Sequence, residues 1–579
     1  LSSSQSYSVA HDYYASSKSK QDFLSVSANT YASTYWQWEN FLNYNKSIKG
    51  HDFGVMLGTS FTESRSFGVS GGKHGSDTDL GFKKDDPLFL YFAYATANAE
   101  DDISGGEANF SRKNSYFGRL NYEYKGKYLL QASLRADAAD SSVLPVETRW
   151  GYFPAVSAGW VISNENFMMD TKSWLSHLKF RASWGMLGNQ YVGSSDYPYL
   201  SVLEAFTDGL SLIGGAASTG YVPSTLANPN LSWEQINMVD IGFDISMLKN
   251  RLNVTFDWYN KNTEGILLKL NYPAQIGPKP SEENAGKVNN TGWELDLNWR
   301  EQRGDFYYGI GFNISDVKNK ILDLAGNAPD LSGYQIRMVG YPIDAFYGYV
   351  ADGLMTPEDF KISDTKNHNY SLPKIPVILG NDYQPGDIKY KDISGPDGVP
   401  DGRITPEYDK VVLGSNIPRY TYSFRGDLAW KGIDFSFVIQ GVGKCDGYLE
   451  GTARHAFQDM AAYPQKVHLQ RYNVVTNPDP NAAYPRLTYN TGFNQNTFST
   501  YWMEDASYLR LKNVQLGYTF PEKWMKKARI DKMRVYISGD NLLTFSKFFY
   551  AYDPETPVSK GGYYPQIKTV VMGLNITFK

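Results

Sequence analysis

Residues 118–137, GRLNYEYKGKYLLQASLRAD, read as two alternating runs around Lys125-Gly126-Lys127. Leu120, Tyr122 and Tyr124 interleave with Arg119, Asn121 and Glu123. Beyond the turn, Tyr128, Leu130, Ala132 and Leu134 interleave with Gln131, Ser133 and Arg135. A period of two on both sides of a tight turn predicts a β-hairpin. The pattern alone leaves its environment open. The apolar face either packs on a soluble core or faces lipid, with the polar face in a wet lumen.

The same alternation recurs along the whole chain. Ile241, Phe243, Ile245 and Met247 show it, as do Leu252, Val254, Phe256 and Trp258, then Trp293, Leu295, Leu297 and Trp299. The last run is Val570, Met572, Leu574, Ile576 and Phe578. About fifteen such strands can be counted, many of about 10 residues, which matches a tilted membrane-crossing strand better than an average soluble one. Helical periodicity is confined to short pieces such as 521–528.

Composition narrows the classes. The 579 residues include 44 Tyr, 31 Phe and 13 Trp, a Tyr-heavy aromatic load. The net charge of −5 offers no basic field for nucleic acid. A single cysteine, Cys445, rules out an intrachain disulfide framework and multi-Cys metal sites. There is no apolar run long enough for a transmembrane helix. A mean hydropathy of −0.44 is compatible with a membrane β-barrel, because alternating strands keep the average low.

The connections decide between the two environments. Tight links fall at 47–50, 125–127, 249–251, 302–304 and 430–432, and the links 164–176 and 520–531 share their phase. Every other connection is long: about 67–111, 138–148, 191–231, 269–285, 318–416, 447–504 and 547–566. Strict alternation of short and long links is the asymmetry of outer-membrane barrels, with short periplasmic turns and long outer loops. With a periplasmic C-terminus, all the short turns fall inside. The serine- and tyrosine-rich start, LSSSQSYSVAHDYYASSKSK, has no signal-peptide core and reads as the interior of an outer loop. The expected fold is all-β: residues 1–579 form the C-terminal part of a transmembrane antiparallel barrel with long extracellular loops.

Several segments resemble SusC/RagA-type TonB-dependent transporters of Bacteroidota outer membranes. They include YFGRLNYEYKGKYLLQASLRAD, RWGYFPAVSAGWVISNENFM, LKFRASWGMLGNQ and NPNLSWEQINMVDIGFDISMLKNRLNVTFDWYNKNTEGIL. NAGKVNNTGWELDLNWR, PGDIKYKDISGPDGVPDGRI, ASYLRLKNVQLGYTFP, ISGDNLLTFSKFFYAYDPET and the terminal GLNITF follow in order. The resemblance implies a plugged barrel of about 22 strands, of which this chain would hold about fifteen, the plug and first strands lying upstream of Leu1. It further implies import of glycan or peptide fragments into the cell. A SusD-like lipoprotein would cover the loops, and TonB, ExbB and ExbD would deliver energy through the N-terminal part. Gly573, Ile576 and Phe578 resemble a barrel-assembly signal, although Lys579 follows the final aromatic.

Candidate chemistry is sparse. Gly68-Val69-Ser70-Gly71-Gly72 matches a nucleophile elbow, but it sits in an expected Gly/Ser-rich loop, without the strand-turn-helix setting that motif needs. Asp392, Ser394, Asp397 and Asp401 resemble a calcium loop with one residue too many and no Glu at the twelfth position, so the same residues also make a plain solvated turn. The seven histidines are dispersed, and no P-loop is present. No catalytic residue is assigned, and no enzyme or cofactor beyond a structural calcium is expected. Aromatics with neighbouring amides and carboxylates suit sugar rings or peptide side chains. That makes Tyr334, Tyr349, Tyr463, Tyr484, Trp502, Tyr552 and Tyr563 the candidate ligand contacts; the competing role is loop packing and the interfacial aromatic girdle. Tyr472 belongs to the same aromatic-rich loops.

Two rival classes remain at this stage. A passive porin or barrel-borne adhesin would lack a plug upstream. A soluble carbohydrate-active β-protein would need a carboxylate pair about the scissile bond and would stay soluble without detergent.

Overall fold

The computed structural model describes residues 2–10, 13–16, 19–21, 24–75, 100–190, 197–201, 203–213, 216–270, 275, 277–378, 380, 382–457, 464–489, 497–527, 529–558, 563–564 and 566–578. Its centre is one antiparallel sheet of 16 strands in sequence order. These are β1 (Ser2–Ala10), β2 (Leu24–Ile48), β3 (His51–Gly75), β4 (Glu100–Tyr124), β5 (Tyr128–Ala138), β6 (Trp150–Val161), β7 (Leu175–Asn189) and β8 (Glu234–Met247). They continue with β9 (Leu252–Lys269), β10 (Glu282–Arg303), β11 (Phe306–Asp323), β12 (Arg419–Trp430), β13 (Ile433–Lys444), β14 (Tyr508–Thr519), β15 (Ile530–Ser546) and β16 (Thr569–Phe578). Among the described residues no pairing joins β16 back to β1.

The opening hairpin is β4 and β5, in register from Tyr124↔Tyr128 to Asn114↔Ala138. Its turn closes through Lys127 N donating to Tyr124 O at 2.9 Å, with Lys125 and Gly126 both at positive φ (52° and 63°). Gly is at ease there; Lys accepts the conformation because the two-residue turn must follow the strand twist.

Short and long connections alternate as expected, and one long connection is shorter than the sequence suggested. β3 and β4 run as paired arms out to Gly75 and Glu100, so both ends of the expected loop 67–111 are strand. Gly68–Gly72 accordingly lies in β3, paired with β2, and not in a flexible loop. Backbone pairing on both sides supplies the order that its glycines lack. β1 is the strand beyond the expected fifteen. It pairs only with Ser25–Ser33, the part of β2 far from the 49–50 turn, so it extends the outer arms. Its Ser-rich sequence hides it from a hydrophobic pattern.

Alternation sorts the side chains onto two faces. Leu130 and Leu134 are 53% and 52% exposed on the outer face, beside Tyr152 and Val156 of β6. On β16, Met572 is 81% exposed. Such a continuous exposed apolar surface is tolerable only against lipid. No helix among the described residues is long and apolar enough to cross a membrane.

Candidate functional site

The inner face carries the polar half of the alternation. Arg181 on β7 faces Asp240 (3.4 Å), Asp244 (3.2 Å) and Asp257. Asn121, Glu123, Gln131, Lys179, Arg181 and Asp240 line an inner-face concavity of about 510 Å³. Further along, Arg419 Nη2 donates to Asp316 at 2.6 Å and Arg534 Nε to Asp434 at 2.9 Å.

The long connections after β11, β13 and β15 build a second structure. The first folds a four-stranded sheet from Asp330–Ser332, Gln335–Arg337, Ala345–Tyr349 and Lys410–Gly414. The second pairs Asp446–Tyr448 with Met503–Asp505. Their cores merge: Tyr349, Leu354, Ile388, Tyr390 and Ile404 from the first pack with Leu449, Tyr472, Tyr484 and Trp502 from the second. Phe549 and Tyr552 of the third close against them. Burying this much aromatic surface is what orders long connections into one layer.

Ion pairs anchor the layer. Arg510, at the start of β14 and almost fully buried, donates Nη2 to Asp553 (2.9 Å) and Nη1 to Glu555 (2.6 Å). Two separate sequence landmarks, ASYLRLKN and AYDPET, therefore meet in one triad around the buried Arg510. Arg486 holds the fully buried Asp387 through Nε at 2.6 Å and Nη2 at 3.3 Å. Neither pair was visible in a pattern of aromatics; a lone charge inside an aromatic loop run was the available signal. Arg454, also buried, lies over the rings of Trp502 (5.0 Å) and Tyr334 (5.8 Å) and donates to Thr497 O at 2.9 Å.

The structure places the candidate aromatics in different settings. Tyr349, Tyr484 and Trp502 are in the shared core, Trp502 only 1% exposed. Burial pushes the hydroxyls of Tyr349 and Tyr484 up to about 12, so both stay neutral donors. Tyr334 is half-buried and stacks on Phe498 at 4.7 Å. Tyr552 donates to Glu450 O at 2.8 Å from the edge of the core. Tyr563 is exposed with its neighbour Tyr564. Tyr463 lies outside the described residues.

The acidic stretch forms an ordered turn. Asp392 Oδ2 accepts from Gly402 N at 2.6 Å, Asp401 Oδ1 from Arg403 N at 2.9 Å, and Asp397 is exposed. The buried Asp409 organises the turn by accepting from Ile393 N and Thr405 N, both at 2.7 Å. Among the described residues no three His, Cys, Asp or Glu side chains converge as a metal set.

A strand-only membrane sheet with a charged inner face, and every long connection at one end, defines an outer-membrane β-barrel. The chain belongs to the TonB-dependent receptor-like β-barrel family, whose model matches residues 1–542. It is similar to TonB-dependent receptor P26 of Formosa agariphila, 31% identical over 96% of this chain and 54% of the relative. It is also similar to TonB-dependent receptor SusC of Bacteroides thetaiotaomicron, 26% identical over 96% of this chain and 52% of the relative. The chain spans about half the length of the curated relatives it matches. The RagAB peptide importer in its open-open state shares the fold, with a TM-score of 0.79 at 21% identity, over 100% of this chain and 58% of that one. The SusC/RagA-like resemblance is thereby borne out, and with it an outer-membrane location.

Proposed function

We propose that this chain is the C-terminal share of the barrel of an active importer that brings glycan or peptide fragments across the outer membrane. The observation that carries the reading is the single core shared by three outer loops. A porin needs an open mouth, whereas a packed layer of loops gives a surface on which a ligand and a covering protein can dock. Solvent-facing aromatics such as Tyr489, Tyr550, Tyr563 and Tyr564 offer ring faces there. Tyr334 and Tyr552, at the margin of the core, complete the candidate contacts, and the buried Tyr349, Tyr484 and Trp502 position them.

In this reading a SusD-like surface lipoprotein lids the loops, and TonB with ExbB and ExbD acts through the N-terminal part and its plug. The likeness to SusC and to the RagAB importer supports both partners. Transport works by differential binding: the outer state holds the fragment, and a conformational change releases it inward. It makes and breaks no bond in the cargo. The acidic turn around Asp392, Asp397 and Asp401 is kept as a calcium candidate, tested by calcium titration of the purified protein.

Uptake of labelled oligosaccharides and oligopeptides by cells carrying the complete protein tests the proposal. Uptake should stop when the inner-membrane proton gradient is collapsed. Uptake that continues unchanged would instead establish a passive pore.

A further inference from the structure

The lipid-facing side of β3 and β4 changes character along its length. Toward the membrane centre it is apolar, with Leu57 and Leu120 exposed. Aromatic pairs bound this stretch: Tyr124 stacks on Tyr128 at the periplasmic turn, and Tyr116 stacks on Trp150 at 6.0 Å toward the outside. At the usual barrel tilt the strand from Tyr124 to Tyr116 rises about 20 Å, close to the height of the apolar band between two aromatic girdles. Trp36 packs on Phe61 at 5.1 Å on the same face.

Beyond the outer girdle that face becomes charged. Glu63 stands opposite Arg112, and Arg65 opposite Phe110. Alternation keeps all four on the side of Leu57 and Leu120, and Arg112 lies about 10 Å further out than Tyr116, at headgroup height. Arg112 Nε donates to Glu63 at 2.7 Å, yet its side chain remains 62% exposed. Arg65 is exposed too, and among the described residues no carboxylate lies within ion-pair distance of it. Both guanidiniums lie over the Phe110 ring, at 5.0 and 5.9 Å from its centroid. One carboxylate thus answers two arginines, and the patch keeps a net positive charge.

A cavity of about 510 Å³ opens beside them, lined by Phe61, Phe110, Arg112, Asn114, Ser141 and Arg149. Its one buried acid, Asp140, is spent on local donors: the backbone N–H of Arg112, Ser142 N at 2.8 Å and Ser142 Oγ at 2.6 Å. Arg149 adds a further positive charge to the wall. The volume exceeds what a phosphate needs and falls in the range of small-ligand sites.

We propose that this patch binds the phosphorylated sugar headgroup of an outer-leaflet glycolipid, its phosphate held by Arg65 and Arg112. Arginine forks match phosphate oxygens. The height of the patch selects a lipid as the source, because its acyl chains then run down the apolar face past Tyr116 and Leu120. Basic side chains at the membrane surface recognise anionic headgroups by the same physics. The inference needs only the membrane location and is independent of the cargo.

Native mass spectrometry of the complete protein in detergent tests it, with phosphorylated lipid A, the same lipid A dephosphorylated, and N-acetylglucosamine phosphate. The phosphorylated lipid should bind roughly tenfold or more tighter than the dephosphorylated one. Excess N-acetylglucosamine phosphate should fail to displace it, since the soluble fragment lacks the chains. Arg65→Gln, which breaks no ion pair, should cost the phosphorylated lipid about fivefold. Arg65→Gln combined with Arg112→Gln should bring the two lipids to equal affinity. Arg403→Gln, exposed in an outer loop and outside the patch, should change nothing. Equal binding of the two lipids by the wild type, an undiminished preference in Arg65→Gln or in the double variant, or displacement by the soluble sugar phosphate overturns the site.

Discussion

Arg181 on β7 and Asp257 on β9 meet across the intervening strand, Arg181 Nη2 donating to Asp257 Oδ2 at 2.7 Å directly over Gly242 of β8. Gly242 leaves the gap: a Cβ there would collide with Asp257, lie 2.8 Å from Arg181 Cζ and 2.8 Å from Phe256 O. The device recurs on the inner face. Arg425 reaches Asn298 over Gly311, and Arg534 meets Asp434 beside Gly517. Glycine in a strand interior normally weakens it; here it lets charges pair two strands apart.

Gly242→Val should therefore destabilise the barrel by about 1–3 kcal/mol, through overpacking and a broken ion pair. Urea unfolding of the detergent-solubilised protein reads this out. Wild-type stability in the variant would show that the Arg181–Asp257 contact is dispensable.

The two faces of β5 make opposite predictions for one substitution. Leu130→Arg places a charge against lipid near mid-membrane and should cost about 2–4 kcal/mol. Ser133→Arg points into the wet lumen and should cost far less. Folding titrations into lipid vesicles compare the two, and equal costs would reverse the assigned faces.

Trp502→Ala removes the centre of the loop core and should cost the layer about 3–5 kcal/mol. Hydrogen exchange should rise at Ile388–Tyr390 and around Leu449 while β5 and β6 stay protected. A change spread equally over the sheet would mean that the loops and the barrel unfold as one unit.

The periplasmic turn 162–174 should respond to acid. Lys127 Nζ (2.9 Å), Tyr128 OH (2.6 Å) and Trp160 Nε1 (3.2 Å) all donate to Glu165 and hold its carboxyl down at about 2. The folded value lies below the ordinary 4.5, so the stabilisation is complete above that pH and fades as pH falls toward 2. Trp160 fluorescence should follow this window in the wild type and be flat through it in Glu165→Gln. An identical acid transition in both proteins would assign it to other carboxylates.

Much of the architecture was legible in the sequence, because a barrel strand repeats every two residues and its turns are local. Lys125-Gly126-Lys127 marks its own turn, and the phase of short and long links puts Leu130 in lipid and Arg135 in the lumen. β1 and the arms of β3 and β4 escaped, since Ser- and Gly-rich strands are ordered by their neighbours' backbones and carry no hydrophobic period. The site was legible only as composition. That aromatics crowd the outer loops is a sequence fact. Which of them are core, such as Trp502, and which face solvent, such as Tyr563, depends on contacts between different connections, such as that of Trp502 with the core around Tyr349. Arg510 with Asp553 and Glu555, and Arg486 with Asp387, are likewise products of tertiary packing. Long-range burial sets the energy of each, and no local pattern encodes it.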